Sequence, residues 1–196
     1  SLGAAIIPSY DFSKAKVIVS VGADFLGTWL SPIEFSKQFA TNREITADKM
    51  DMSRLYAFES NLSLTGANAD YRSAIKPSQE GLVVAQLYKL ISGSGSTGID
   101  GIKYLEKAAA ELKANAGSAL VVSGSNDKNV QVVVNAINSL LGSYGTTITG
   151  TPVNYRQGND EEMAAFVAEA ISGKVDGVIF YNCNPVYDHP QGAELG

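Results

Sequence analysis

The sequence predicts an α/β fold in which a parallel sheet carries helices on both faces. Three observations predict it. Short β-branched runs, Val17 to Val21 and Leu120-Val121-Val122 among them, lack the polar alternation of a half-exposed strand and so read as strands buried on both faces. Segments with apolar residues at helical spacing alternate with these runs. The runs also end in glycine or small polar residues, which stop a strand and open a connection.

Taken in order, Lys16 to Val21 is the first strand, closed by Gly22. Ser31-Pro32-Ile33-Glu34 then joins a capping hydroxyl, a proline at the first helical position and a glutamate three residues past the cap, and Phe35 and Phe39 share one face. On that reading, Ser31→Ala costs on the order of 1 kcal/mol. Arg54 to Phe58 is the second strand, and it runs into a small, polar loop from Glu59 to Asp70. Ser78 caps a helix carrying Leu82, Val83, Leu87 and Leu90, which gives way to a Gly/Ser connector from Ser92 to Gly98. A helix over about Gly101 to Asn115 leads into the strand Ala119 to Val122. Asn126 or Asp127 opens the next helix, which stops near Leu141-Gly142, and Thr146 to Ile148 is a short strand. Asn159 to Glu162 caps and charges a helix through Ile171, and Val175 to Tyr181 is the last strand, with Val178 to Tyr181 buried in the sheet.

With 196 residues, 45% of them hydrophobic and 18% charged, the chain can bury the core of one α/β domain over 1–196, or of two packed pseudo-halves at 1–98 and 99–196. The small, apolar opening from Ser1 to Pro8 reads as the interior of a longer protein, hence as a fragment. No stretch approaches the roughly 20 apolar residues that span a bilayer, so membrane insertion by this segment is not expected. A net charge of −5 without a Lys/Arg cluster argues against nucleic acid as a partner. One cysteine, Cys183, and one histidine, His189, cannot supply the four ligands that an iron-sulfur cluster or a structural zinc usually takes.

Several motif-like features dissolve on inspection. Gly93 to Gly98 matches G-x-G-x-x-G, but it follows a helix where the dinucleotide motif follows a strand, so it reads as a connector. Ser123, Asp188 and His189 have the residue types of a nucleophilic triad, yet the serine lacks the G-x-S-x-G elbow. Cys183 has no basic neighbour to activate it. More telling are three strand ends: Gly22-Ala23-Asp24, Ser123-Gly124-Ser125 and Asn182-Cys183-Asn184. In a parallel sheet such ends line the crevice where nucleotides bind, although tight turns demand the same small residues.

At this point a resemblance enters. Val17 to Phe39 (VIVSVGADFLGTWLSPIEFSKQF) and Leu62 to Asp70 (LSLTGANAD) resemble the Rossmann-like central domain of the molybdopterin oxidoreductases, most closely the form found in the iron-sulfur subunit of bacterial alternative complex III. The segments Leu120 to Gly145 and Val178 to Pro190 resemble later parts of that domain. The resemblance implies a cofactor-binding set of Gly22, Ala23, Asp24, Glu59, Ser60, Asn61 and Glu80, joined at the other strand ends by Ser123, Gly124, Asn182 and Asn184. Catalytic relatives hold a molybdopterin guanine dinucleotide there. This sequence departs from them: Ser60-Asn61 replaces a Pro-Arg, and Pro77-Ser78-Gln79-Glu80 replaces P-G-T-D. Losing the arginine removes a bidentate phosphate partner.

The resemblance therefore implies a domain with no cofactor of its own, a scaffold in a quinol-oxidising electron-transfer subunit at the periplasmic face of the cytoplasmic membrane. Its partners would be the other subunits of a respiratory complex, with iron-sulfur clusters outside this segment. The alternative is the pterin-binding domain of a catalytic molybdenum oxidoreductase. A third reading, a free-standing nucleotide-binding domain, rests on the Gly93 to Gly98 letters alone.

Overall fold

The computed structural model describes residues 7–95, 98–150 and 160–196. The chain divides into two compact units, Ser1–Asn154 and Tyr155–Gly196. In the first unit β1 (Ser9–Tyr10), β2 (Val17–Val21), α1 (Pro32–Thr41), β3 (Arg54–Glu59), α2 (Leu64–Ala67), β4 (Tyr71–Ala74), α3 (Glu80–Ser92), α4 (Leu105–Ala114), β5 (Ala119–Ser123), α5 (Lys128–Leu140) and β6 (Ile148–Thr149) follow one another. The second unit holds α6 (Asp160–Ile171), α7 (Pro185–Asp188) and α8 (Gly192–Leu195).

Strands β2 to β5 form a four-stranded sheet in the order β4-β3-β2-β5, parallel throughout, with Val17 level with both Arg54 and Ala119. Residue alternation assigns the two faces. Val17, Val19 and Val21 of β2 point with Tyr56, Phe58 and Val121 toward α3, α4 and α5, whose Val83, Leu87, Leu112 and Ile137 complete that core. Ile18, Leu55, Leu120 and Val122 point the other way, into an aromatic layer of Phe12, Phe25, Phe35 and Phe39. Phe12 stacks on Phe25 at 4.2 Å between centroids, which locks the turn before β2 onto the turn after it. The sheet thus has helices on both faces, as the unbroken apolar strands require.

The outer edge of β5 is closed by side chains. Buried Asn138 on α5 accepts from the Val121 N–H (3.0 Å) and donates to the Val121 carbonyl (2.8 Å), reproducing what a neighbouring strand would offer. Ser143 and Thr147 hydroxyls both donate to the Ala119 carbonyl at 2.9 Å, and Gln131 donates to Ser123 O at 3.1 Å. An edge whose polar groups are already satisfied offers little to an added strand.

Several sequence expectations need correction. Val178 to Tyr181, expected as a buried strand, belongs to no strand, and its side chains are 41, 95, 55 and 89% exposed. The helix expected from Gly101 starts at Leu105, because Tyr104 adopts a left-handed conformation (φ 69°) that an α-helix cannot contain. The predicted loop from Glu59 to Asp70 contains α2, and β4 directly after it was not anticipated: its Tyr71-Arg72-Ser73-Ala74 has no apolar signature. Ser78 lies inside a 3-10 turn, Pro77–Gln79, ahead of α3 and does not cap the helix. Ser31 occupies the cap position of α1 without making the side-chain bond. The short strand near Thr147 is Ile148–Thr149, and it pairs antiparallel with β1, away from the parallel sheet. By contrast, Asp127 caps α5, its carboxylate accepting from Asn129 N, and the expected connector begins where Gly93 ends α3 in the left-handed conformation. The expected cap at Asn159 and the connector residues Ser96 and Thr97 lie outside the described residues.

Candidate functional site at the strand ends

Strand order places the site. The chain leaves β2 toward β3 and β4 on one side and returns to β5 on the other, so the turns after β2 and β5 lie side by side at the point where the winding reverses. Ligands of open parallel α/β sheets bind at that point. Here the Gly124 N–H donates to Val21 O at 3.0 Å, and a Cβ on Gly124 would overlap the Gly22 carbonyl, so only glycine permits the approach. Gly22 itself has φ 63°, and a Cβ there would lie 3.0 Å from the Glu80 carboxylate. The fold thus brings Gly22, Ala23, Ser123, Gly124 and Glu80 together. Among the described residues no hydrogen bond reaches the Glu80 carboxylate, which begins α3, where the helix dipole favours a negative charge.

The other two carboxylates of the predicted set are tied down. Asp24 accepts from the backbone N–H and the hydroxyl of Thr65, at 2.9 and 2.8 Å. Thr65 Oγ1 in turn accepts from Leu26 N at 3.0 Å, so this carboxylate pins the loop after β2 to α2. Glu59, nearly buried, accepts from Arg72 Nε at 2.6 Å and from the Ser63 hydroxyl and N–H at 2.5 and 3.2 Å. Ser63 Oγ then caps α2 by accepting from Gly66 N at 3.0 Å. Ser60 and Asn61, between them, make no side-chain hydrogen bond among the described residues, and Asn61 is exposed.

Four backbone donors around the crevice are used in the same inward way. Gly22 N donates to Phe58 O (2.9 Å), Ser125 N to Ser123 Oγ (3.2 Å), Asp127 N to Ser125 Oγ (3.1 Å) and Asn129 N to Asp127 Oδ1 (2.7 Å). A pyrophosphate needs such N–H groups free, with a cation beside them. Arg72 is engaged by Glu59, and the Gly22 turn faces the Glu80 carboxylate. The Ala23 and Asp24 N–H groups, by contrast, have no acceptor among the described residues.

In the second unit, Asn182 takes a left-handed conformation (φ 51°), and Asn184 precedes α7 without a side-chain cap; both are exposed. Asp188 accepts from Asn184 N and His189 Nδ1 accepts from Gln191 N, so neither bond joins the two side chains. Cys183 is an exposed free thiol. Among the described residues no group of three His, Cys, Asp or Glu side chains could hold a metal ion, and no helix is long and apolar enough to cross a membrane.

Sequence reasoning missed Thr65, Ser63 and Arg72, the partners that decide what the carboxylates do. The Ser63-x-x-Gly66 spacing was a readable cap signal. Arg72 was not readable, because its strand was not. No protein-family model matches the chain, and no match is found among curated proteins.

Proposed function

We propose that this chain is a molybdopterin-oxidoreductase-like, Rossmann-like domain that has become a cofactor-free scaffold in a respiratory electron-transfer subunit. In this reading it docks other subunits of a quinol-oxidising complex at the periplasmic face of the membrane, and iron-sulfur clusters outside the segment carry the electrons. The observation that supports it most is the inward use of the four strand-end donors named above, with the Glu80 carboxylate facing the Gly22 turn. The alternative, a guanine-dinucleotide domain of a catalytic enzyme, draws support from the position of the crevice at the winding reversal.

Metal analysis of the native protein that contains this chain, joined to calorimetric titration of guanosine diphosphate into the chain, separates the two. The scaffold reading expects iron without molybdenum or tungsten, and no saturable heat from the nucleotide. Stoichiometric molybdenum or tungsten would overturn it and promote the catalytic alternative.

A further inference from the structure

At the β4 edge of the sheet, three residues from three elements meet at one oxygen. The Tyr71 hydroxyl, at the start of β4, accepts from Lys107 Nζ on α4 at 2.6 Å and lies 3.4 Å from Arg54 Nη1 at the start of β3. Its position is fixed by stacking: the ring lies on buried Tyr56 (5.0 Å between centroids, 17° between planes) and against Tyr104 (5.0 Å). Tyr104 is held at a positive φ, a conformation that costs an aromatic residue energy and persists only where its surroundings impose it. Lys103 Nζ lies 4.6 Å from the Tyr104 ring centroid.

The cations at this place are only partly paired. Arg54 has one carboxylate partner, Glu111, at 3.2 Å from its Nε. Lys103 and Lys107 have no carboxylate within ion-pair distance among the described residues, and Asp100 and Glu106 stand on the wall of the neighbouring cavity. Cation–π attraction accounts for Lys107 near the Tyr71 ring (4.0 Å) and Arg54 near it (5.7 Å). It does not account for both donor heads converging on the same phenol oxygen, where they repel each other. A hydroxyl has two acceptor lone pairs and one proton. With the lone pairs turned to cations, its proton becomes a third outward donor. The Lys107 hydrogen bond also holds the Tyr71 phenol below its ordinary range, whereas burial, with Glu111 alongside, pushes stacked Tyr56 above its own.

We propose that Arg54, Tyr71 and Lys107 form a binding site for the phosphoryl group of a small organic phosphate. Three donors on separate arms, two of them cationic, match an acceptor with oxygens in three directions. Tyr104 and Lys107 also line an adjoining cavity of about 430 Å³ whose walls include Leu90, Ile102 and Leu105 together with the carboxylates of Asp100 and Glu106, enough room for the organic part of such an ester. The site lies apart from the strand-end crevice, and the proposal does not depend on the scaffold reading.

The test is an NMR titration of the whole chain with inorganic phosphate, phenyl phosphate and acetate at constant ionic strength. The expected result is saturable shifts at Tyr71, Tyr104 and Lys107, tighter for phenyl phosphate than for phosphate and weakest for acetate. Lys107→Gln should weaken phosphate binding by roughly tenfold, the loss of one charge-assisted bond. Tyr71→Phe keeps the ring stack, and so the fold, and should weaken binding by a smaller factor. Shifts that do not saturate, or affinities unchanged in both variants, would overturn the site. Acetate binding as tightly as phosphate would overturn the phosphoryl assignment, and phenyl phosphate no tighter than phosphate would overturn the role of the cavity.

Discussion

Two runs with nearly the same sequence character end in opposite environments. Val17-Ile18-Val19-Ser20-Val21 lies between two partner strands, with every residue buried. Val178-Ile179-Phe180-Tyr181 has as much β-branched and aromatic content, yet pairs with no strand and exposes Ile179 almost fully. Strand propensity is therefore permissive: it describes what a run can do when an edge is free. The first run has β3 on one side and β5 on the other. On the far side of β5, Asn138, Ser143, Thr147 and Gln131 already hold the edge groups.

The sharpest break of this comparison is a pair of truncations. Leu120→Ala, at a fully buried position of β5, should cost about 2–5 kcal/mol by urea denaturation. Ile179→Ala, at a position 95% exposed, should stay within about 0.5 kcal/mol. A large loss from Ile179→Ala would mean that the run is buried after all. Next comes the edge itself. Asn138→Ala leaves the Val121 N–H and carbonyl without partners in a buried place, so it should cost about 1–3 kcal/mol. It should also raise self-association, read by sedimentation, because it reopens a strand edge. A variant as stable and as monomeric as its parent would show that the edge is closed by something other than Asn138.

What the sequence revealed follows from the same contrast. Strands β2, β3 and β5 were legible because burial on both faces leaves an unmixed apolar run, and the helix cap at Asp127 was legible because caps are local. β4 was not legible: an edge strand of four residues with one buried position carries no such run. At the candidate site, Gly22 and Gly124 could be singled out from their places at strand ends, and the fold brings them together. The tying of Asp24 by Thr65 and of Glu59 by Arg72 spans 41 and 13 residues of chain, contacts that periodicity cannot show. The Tyr71 cluster depends on three elements meeting and was equally out of reach.

A smaller effect concerns the polar stitching at the start of the sheet. Asp70 accepts from Leu55 N at 2.7 Å and from Arg43 through both guanidinium nitrogens at 2.7 and 3.0 Å. Burial alone would raise this carboxyl, but the bonds from Arg43 and Leu55 outweigh it and hold it below the ordinary aspartate range. A group depressed in the folded state contributes its stability in full above its unfolded value, near ~4, and loses it as the pH falls from there through the folded value. Stability followed by thermal melting should therefore decline on acidification below about pH 4, and Asp70→Asn should show a shallower decline. Equal slopes in parent and variant would remove Asp70 from the acid response.

The smallest expected effect separates two helix starts that look alike in sequence. Ser31 and Asp127 both precede a helix with a residue type that caps well, and Ser31 has in addition Pro32 and Glu34 in the favoured places. Asp127 sits in extended backbone (φ −70°, ψ 119°), so its carboxylate reaches the N–H of Asn129 at 2.7 Å. Ser31 has φ −133° and ψ 68°, and its neighbour Leu30 is forced to φ 55°, so the chain enters α1 at an angle that carries the hydroxyl away from the first turn. Pro32 lowers the need for a cap, since it lacks one of the N–H groups that would be orphaned there. Glu34 does not close a capping box either; its carboxylate accepts from Gln38 Nε2 at 3.1 Å, one turn further along α1. Asp127→Ala should cost about 1 kcal/mol. Ser31→Ala should fall within about 0.5 kcal/mol of the parent, because no bond is lost. Parallel urea denaturation of both variants decides the matter: equal losses would mean that Ser31 does cap α1 in solution, and that the sequence signature was the better guide at this helix start.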